Sequence, residues 1–114
     1  MTDVRRMLVA ALLLLGLTGA ALGGGLDAIR SRPVEPWVSD LAHHHVAATR
    51  NWARTDYEVW LIREKQNWIE IWVIDLRDLE PETDGSEVLG GGGESFSLEI
   101  DSVSQRIVRE LHFQ

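Results

Sequence analysis

Three apolar patterns follow one another along this chain. Met7 to Leu22 contains no charged residue and includes Leu12-Leu13-Leu14-Leu15. Trp37, Leu41, His45, Ala48 and Trp52 then recur at intervals of four, four, three and four. That spacing lines one face of a helix and predicts α-structure over 37–52. From Tyr57 onward the period falls to two. Tyr57-Glu58-Val59-Trp60-Leu61-Ile62-Arg63 is rich in aromatic and β-branched residues and predicts a strand. Polar Glu64-Lys65-Gln66-Asn67 makes a hairpin turn before a second strand at 68–76. In that strand Ile69, Ile71 and Val73 point one way, and Trp68, Trp72 and Ile74 the other. A strand apolar on both faces is central or has its second face covered.

Residues 77–94 read as a long loop, acidic at first, with Pro81, and closing on Gly90-Gly91-Gly92-Gly93. Two further strands follow at about 95–101 and 106–113. Phe96, Leu98 and Ile100 line one face of the first, and Ile107, Leu111 and Phe113 one face of the second, with Arg109 interrupting. Short turns within each pair require antiparallel pairing. The predicted architecture is α+β: one helix packed on a four-stranded antiparallel meander over 37–114.

The segment before it has a different character. Arg5 and Arg6 precede the apolar run, and Thr18-Gly19-Ala20-Ala21 and Gly23-Gly24-Gly25 follow it. A basic start, an apolar middle and small residues at the exit match a secretory signal peptide cleaved after Ala20 or Ala21. Extended to Leu26, the run has 20 residues and, if retained, is just long enough to act as an inner-membrane anchor. Residues 1–22 are therefore read as signal peptide or anchor, and 23–36, with Pro33 and Pro36, as a linker. Either way the domain faces outside the cytoplasm, periplasmic or membrane-anchored.

Net charge is −7 over 114 residues. Without residues 1–21, nine basic and seventeen acidic residues remain, a net charge of −8. So acidic a surface disfavours nucleic acid and anionic lipid and suits a basic protein partner. The chain contains no cysteine. That excludes disulfides, a thiol nucleophile and a thiolate metal site.

Candidate chemistry is sparse. His43-His44-His45 are consecutive, and on a helix neighbouring side chains diverge by about 100°, so they do not converge on one metal ion. His45 is expected to be partly buried and the other two solvated. Glu80-Pro81-Glu82-Thr83-Asp84-Gly85 resembles the opening of a calcium loop, but Gly91 stands where a bidentate glutamate is required. The four glycines lack the lysine and the Ser/Thr of a phosphate loop and precede a strand. No serine lies in a G-x-S-x-G setting. The residues therefore point to no enzyme, cofactor or metal. Clustered aromatics remain: Trp60, Trp68 and Trp72. They mark a partner-binding sheet face, with Glu80, Glu82 and Asp84 as acidic contacts, unless the 77–94 loop or the linker covers them.

Asn67-Trp68-Ile69-Glu70-Ile71, the glycine run, Ile100-Asp101, a short turn and Arg106-Ile107-Val108 resemble the NTF2 fold immunity protein family. More loosely, they resemble PepSY-type domains. Their closing hairpin carries threonine-glycine where this chain has Ser104-Gln105. The resemblance implies a PepSY- or cystatin-like helix-on-sheet that binds rather than catalyses: neutralising a toxin, or inhibiting or chaperoning another extracytoplasmic protein. Three functions follow as expectations. The first is a binding module of the immunity or inhibitor kind. The second is a membrane-anchored envelope protein. The third is a small-ligand carrier or enzyme with a helix–sheet pocket beside His45. Dimerisation through the sheet is compatible with the first two.

Overall fold

A computed structural model describes residues 26–81, 87–90 and 93–113. The expected export segment 1–22, and Glu82 and Asp84 of the acidic loop, lie outside the described residues. Among the described residues no helix is long and apolar enough to cross a membrane.

The fold is α+β. Helix α1, Pro36–Thr49, packs on a four-stranded antiparallel sheet. Strands β1 (Tyr57–Lys65), β2 (Trp68–Asp75), β5 (Phe96–Asp101) and β6 (Arg106–His112) lie in the order β1-β2-β5-β6. The first turn shrinks to Gln66-Asn67, because β1 runs two residues past its expected end. Residues 77–94 are not a plain loop. A 3-10 turn, Leu76–Asp78, leads into a two-stranded ribbon of β3 (Leu79–Pro81) and β4 (Glu87–Leu89). The expected linker also gains structure, for residues 26–30 are helical.

Pro36 opens α1 and needs no donor there, since the first helical N–H groups have no partner within the helix. The buried stripe is Val38, Ala42 and Val46, at 0–3 % exposure, one residue round from the expected one. Small Ala42 is fully buried in this core, and bulkier Trp37 and Leu41 pack against it partly buried. Ala48 is exposed. Trp52 falls beyond the helix end and sets its ring 5.9 Å from Tyr57 and 6.2 Å from Phe96. Beneath α1 lie Ile69, Ile71, Val73, Phe96, Leu98 and Ile100, as the period-two pattern requires.

A second, smaller core fills the other sheet face at one end. Trp60, Ile62 and Ile74 are buried there under Leu26, Ile29, Leu79 and Leu89. Arg30 fastens this cover. Its guanidinium donates to both Glu58 oxygens, at 3.0 and 2.8 Å, and to Glu87 at 2.6 Å. The two-faced apolarity of β2 is thereby explained over half its length.

Candidate functional site

Beyond that cover the same sheet face is left more open by the described residues, and the strand register defines it row by row. One row runs Trp60, Trp72, Ser97, Leu111. The next runs Arg63, Glu70, Glu99, Arg109, and the third Lys65, Trp68, Asp101, Arg106. Irregularities in the edge strands make this alignment. Ile62 is the extra residue in β1, between Leu61↔Ile71 and Arg63↔Glu70. Val108 is the extra residue in β6, between Ile100↔Ile107 and Glu99↔Arg109. A one-residue insertion moves the following side chains to the other face. Ile107 thus packs into the core under α1, while Leu111 and Phe113 join the open face. The expected single apolar face of 107, 111 and 113 is corrected accordingly.

The open face combines aromatic rings with paired charge. Trp72 meets Phe113 edge-on at 4.9 Å and donates its indole N–H to Glu70 at 2.9 Å. Arg63 donates to the same carboxylate at 3.1 Å. Glu99 accepts from Arg109 at 3.2 Å. Arg63 and Lys65 lie 5.9 and 5.6 Å from the ring of Trp68. Such exposed cation–aromatic contacts contribute about 0.5–1 kcal/mol each. Ser97 Oγ, buried in the same face, has no hydrogen-bond partner among the described residues.

Trp72 is half-buried, with part of its ring against the second core, whereas Trp60 is wholly inside it. Trp60 is 1 % exposed and donates to Glu58 at 2.8 Å, so it belongs to the second core and not to the surface. Glu80 is exposed on the ribbon. Sequence reasoning missed Leu111 and Phe113 as open-face residues. The signal was present in the adjacent pair Ile107-Val108, which breaks the alternation.

The histidines divide differently from expectation. His45 is partly buried, 2.6 Å from Glu110, and His44 is exposed. His43 is not solvated: its ring nitrogens hydrogen-bond Tyr57 Oη at 2.7 Å and Ser39 Oγ at 3.0 Å. Burial pushes the His43 imidazole below its usual range and the Tyr57 phenol above its own. This chain has the connectivity of a nucleophile, a base and an orienting group. Ser39 sits inside α1, however, and its own N–H is spent on Glu35 O at 3.0 Å. An acyl-transfer site needs free N–H donors around the hydroxyl, and a helix interior consumes them. The three residues brace α1 against β1. Among the described residues no group of three or more histidine or acidic side chains is placed to hold a metal ion.

Glu110 ties the end of α1 to β6. Burial raises its carboxyl, but hydrogen bonds and charge from Arg50 and His45 outweigh that and hold it at about 2. Arg50 donates at 3.0 Å and stacks 3.6 Å over Phe96. A carboxyl with a lowered folded value stabilises above its unfolded value, and the contribution fades as pH falls through the folded one. Glu110→Gln should therefore cost about 1–2 kcal/mol near neutral pH, after allowance for partial exposure. The difference from the parent chain should shrink between pH 4.5 and about 2. Urea unfolding across that range checks it.

A cleft of about 520 Å³, lined by Trp52, Thr55, Asp56, Asp75, Leu76 and Arg77, lies away from His45. Its charged groups are already spent on each other and on the backbone. Arg77 donates to Asp75 at 2.6 Å, and Asp56 accepts from Ala53 N at 2.7 Å. No family model matches the chain, and neither does any curated protein or solved structure.

Proposed function

We propose that the chain is a non-enzymatic, extracytoplasmic protein-binding module of the immunity or inhibitor kind, with the open sheet face around Trp68 and Trp72 as its contact. The observation that carries this reading is where the exposed apolar residues lie. Val103, Val108, Leu111 and Phe113 are the exposed large hydrophobics of the described residues, and all belong to the closing hairpin. Leu111 and Phe113 extend the row begun by Trp72. Aromatic residues set in an apolar patch are the common anchors of protein interfaces.

The charge of this face refines the partner. The whole chain is acidic, which favours approach by a basic protein over long range. The face itself carries both signs, with Arg63, Lys65, Arg106 and Arg109 beside Glu70, Glu99 and Asp101. The contact therefore fits a basic protein whose apolar centre is ringed by charge of both signs.

Trp72→Ala is the decisive variant. It should keep the circular dichroism spectrum of the parent while capture of the partner by the tagged, exported protein falls by about 2 kcal/mol, roughly thirtyfold. Undiminished capture by a folded Trp72→Ala chain removes the face from the interface. Loss of folding assigns Trp72 to the core, and Trp68→Ala then carries the test.

A further inference from the structure

The two edges of the sheet are finished differently. On β1, Arg32 reaches across and donates to Ile62 O at 3.0 Å, at the bulge, so one carbonyl of that edge is satisfied from within the chain. Among the described residues β6 has a strand on one side only, β5. It carries Val108, Leu111 and, just past its end, Phe113, at 59, 43 and 39 % exposure. An uncapped edge with exposed apolar side chains is a template for another strand.

We infer that this edge pairs with a second copy of the chain, β6 against β6 antiparallel, about a twofold axis through Leu111. The sequence of β6 selects both the occupant and the register. Centring on Leu111 places Leu111 beside Leu111 of the other copy. It places Glu110 beside His112 and Arg109 beside Phe113, and symmetry makes each of these contacts twice. Faces agree as well. Arg109, Leu111 and Phe113 lie on the open face, and Glu110 and His112 on the side of α1. The chemistry of the Glu110–His112 pair already exists within one chain, where Nε2 of His112 lies 2.7 Å from Glu110. Centring on Arg109 or on Glu110 instead sets like charges opposite each other, which destabilises a cross-strand pair. The product is one continuous sheet of two copies with the Trp68 and Trp72 surfaces side by side. The inference draws on the same exposed residues, Leu111 and Phe113, that support the partner-binding reading, but its test reads cross-linking between copies and not capture of a partner, so the two fail separately.

The absence of cysteine makes the register directly measurable. Opposed residues in antiparallel strands have Cα atoms about 4.5–5.5 Å apart, within the disulfide span of about 4.4–6.8 Å. In the full chain, Leu111→Cys should cross-link to a species of twice the chain mass under mild oxidant. Held in contact, it should react about tenfold faster or more than Val103→Cys, which is exposed but off the axis. Chains carrying Arg109→Cys should cross-link to chains carrying Phe113→Cys, and neither to itself. Equal rates for positions 111 and 103 overturn the interface. Self-linking of Arg109→Cys overturns the register. Position 111 is exposed enough for the substitution to fold, and the mixed 109/113 experiment does not depend on it.

Discussion

Asp78→Ala should destabilise the fold by about 4 kcal/mol, because several buried donors lose their acceptor at once. Asp78 is 3 % exposed and accepts from Gly93 N, Ser95 N and Ser95 Oγ. Its own backbone oxygen accepts from Gly90 N. Alanine removes both carboxylate oxygens and leaves no room for bulk water, since Ser95 is itself 4 % exposed. A domain of this size has on the order of 5–15 kcal/mol in total, so the variant should melt roughly 20 °C below the parent. Asp78→Asn keeps the shape but turns an amide toward groups that also donate, so it should fall between the two. A shift below about 5 °C for Asp78→Ala would show that the donors find other acceptors.

The effect is large because of what that carboxylate positions. Asp75 works beside it, accepting from Glu94 N at 3.0 Å, while its own N–H donates at 2.8 Å to Ser95 Oγ, whose hydroxyl in turn donates to Asp78. Arg77, through its side chain and then its N–H, holds the Asp75 carboxyl below the usual range. Together the two aspartates fold the end of the glycine run onto the end of β2. Gly93 has to be glycine for this. A Cβ there would stand 2.7 Å from Asp75 Oδ2 and 3.0 Å from Asp78 Oδ1. Gly93 is a backbone joint clasped by carboxylates, and it fixes where β5 enters the sheet. That entry sets the row Trp72, Ser97, Leu111 on which the proposed contact depends.

The parts of the fold legible in the sequence are those where one physical demand dominates. Alternation in 68–76 identified a strand buried on both sides, because Ile69, Ile71 and Val73 meet α1 while Ile74 meets the ribbon. Helix α1 was legible as a helix but not by face. Two adjacent stripes share its spacing, and ring and side-chain size points to Trp37, Leu41 and Trp52, whereas hydropathy and close packing favour Val38, Ala42 and Val46. Strands β3 and β4 escaped notice because three residues are too few to show a period, and only Leu79, Val88 and Leu89 are aliphatic in them. The bulge at Val108 moved Leu111 and Phe113 to the open face, a tertiary choice that alternation alone assigns the other way. Gln105 shows a local demand overridden by context. It holds φ at 57°, in the turn where glycine is usual, at a cost of about 1 kcal/mol. Asp101 Oδ1 accepts from Val103 N and Ser104 N and holds that turn closed.

Trp60→Ala and Trp68→Ala should separate the aromatic residues that build the protein from those that face outward. Trp60 is enclosed by Ile62 and Ile74 and by the cover of Leu26, Ile29, Leu79 and Leu89. Removing its ring empties that second core and should cost about 3–5 kcal/mol. It also deprives Glu58 of the indole donor that accompanies Arg30. Trp68 is only partly buried, with Arg63 and Lys65 over its ring, so Trp68→Ala should change stability by about 1 kcal/mol or less. Urea midpoints of the two variants, compared with the parent, measure the difference. Trp60 and Trp72 are directly paired across β1 and β2. A small loss for Trp60→Ala would mean that the helical residues 26–30 and the ribbon do not hold that end of the sheet shut. The uncovered face would then run the full length of β2, and the contact surface would regain Trp60.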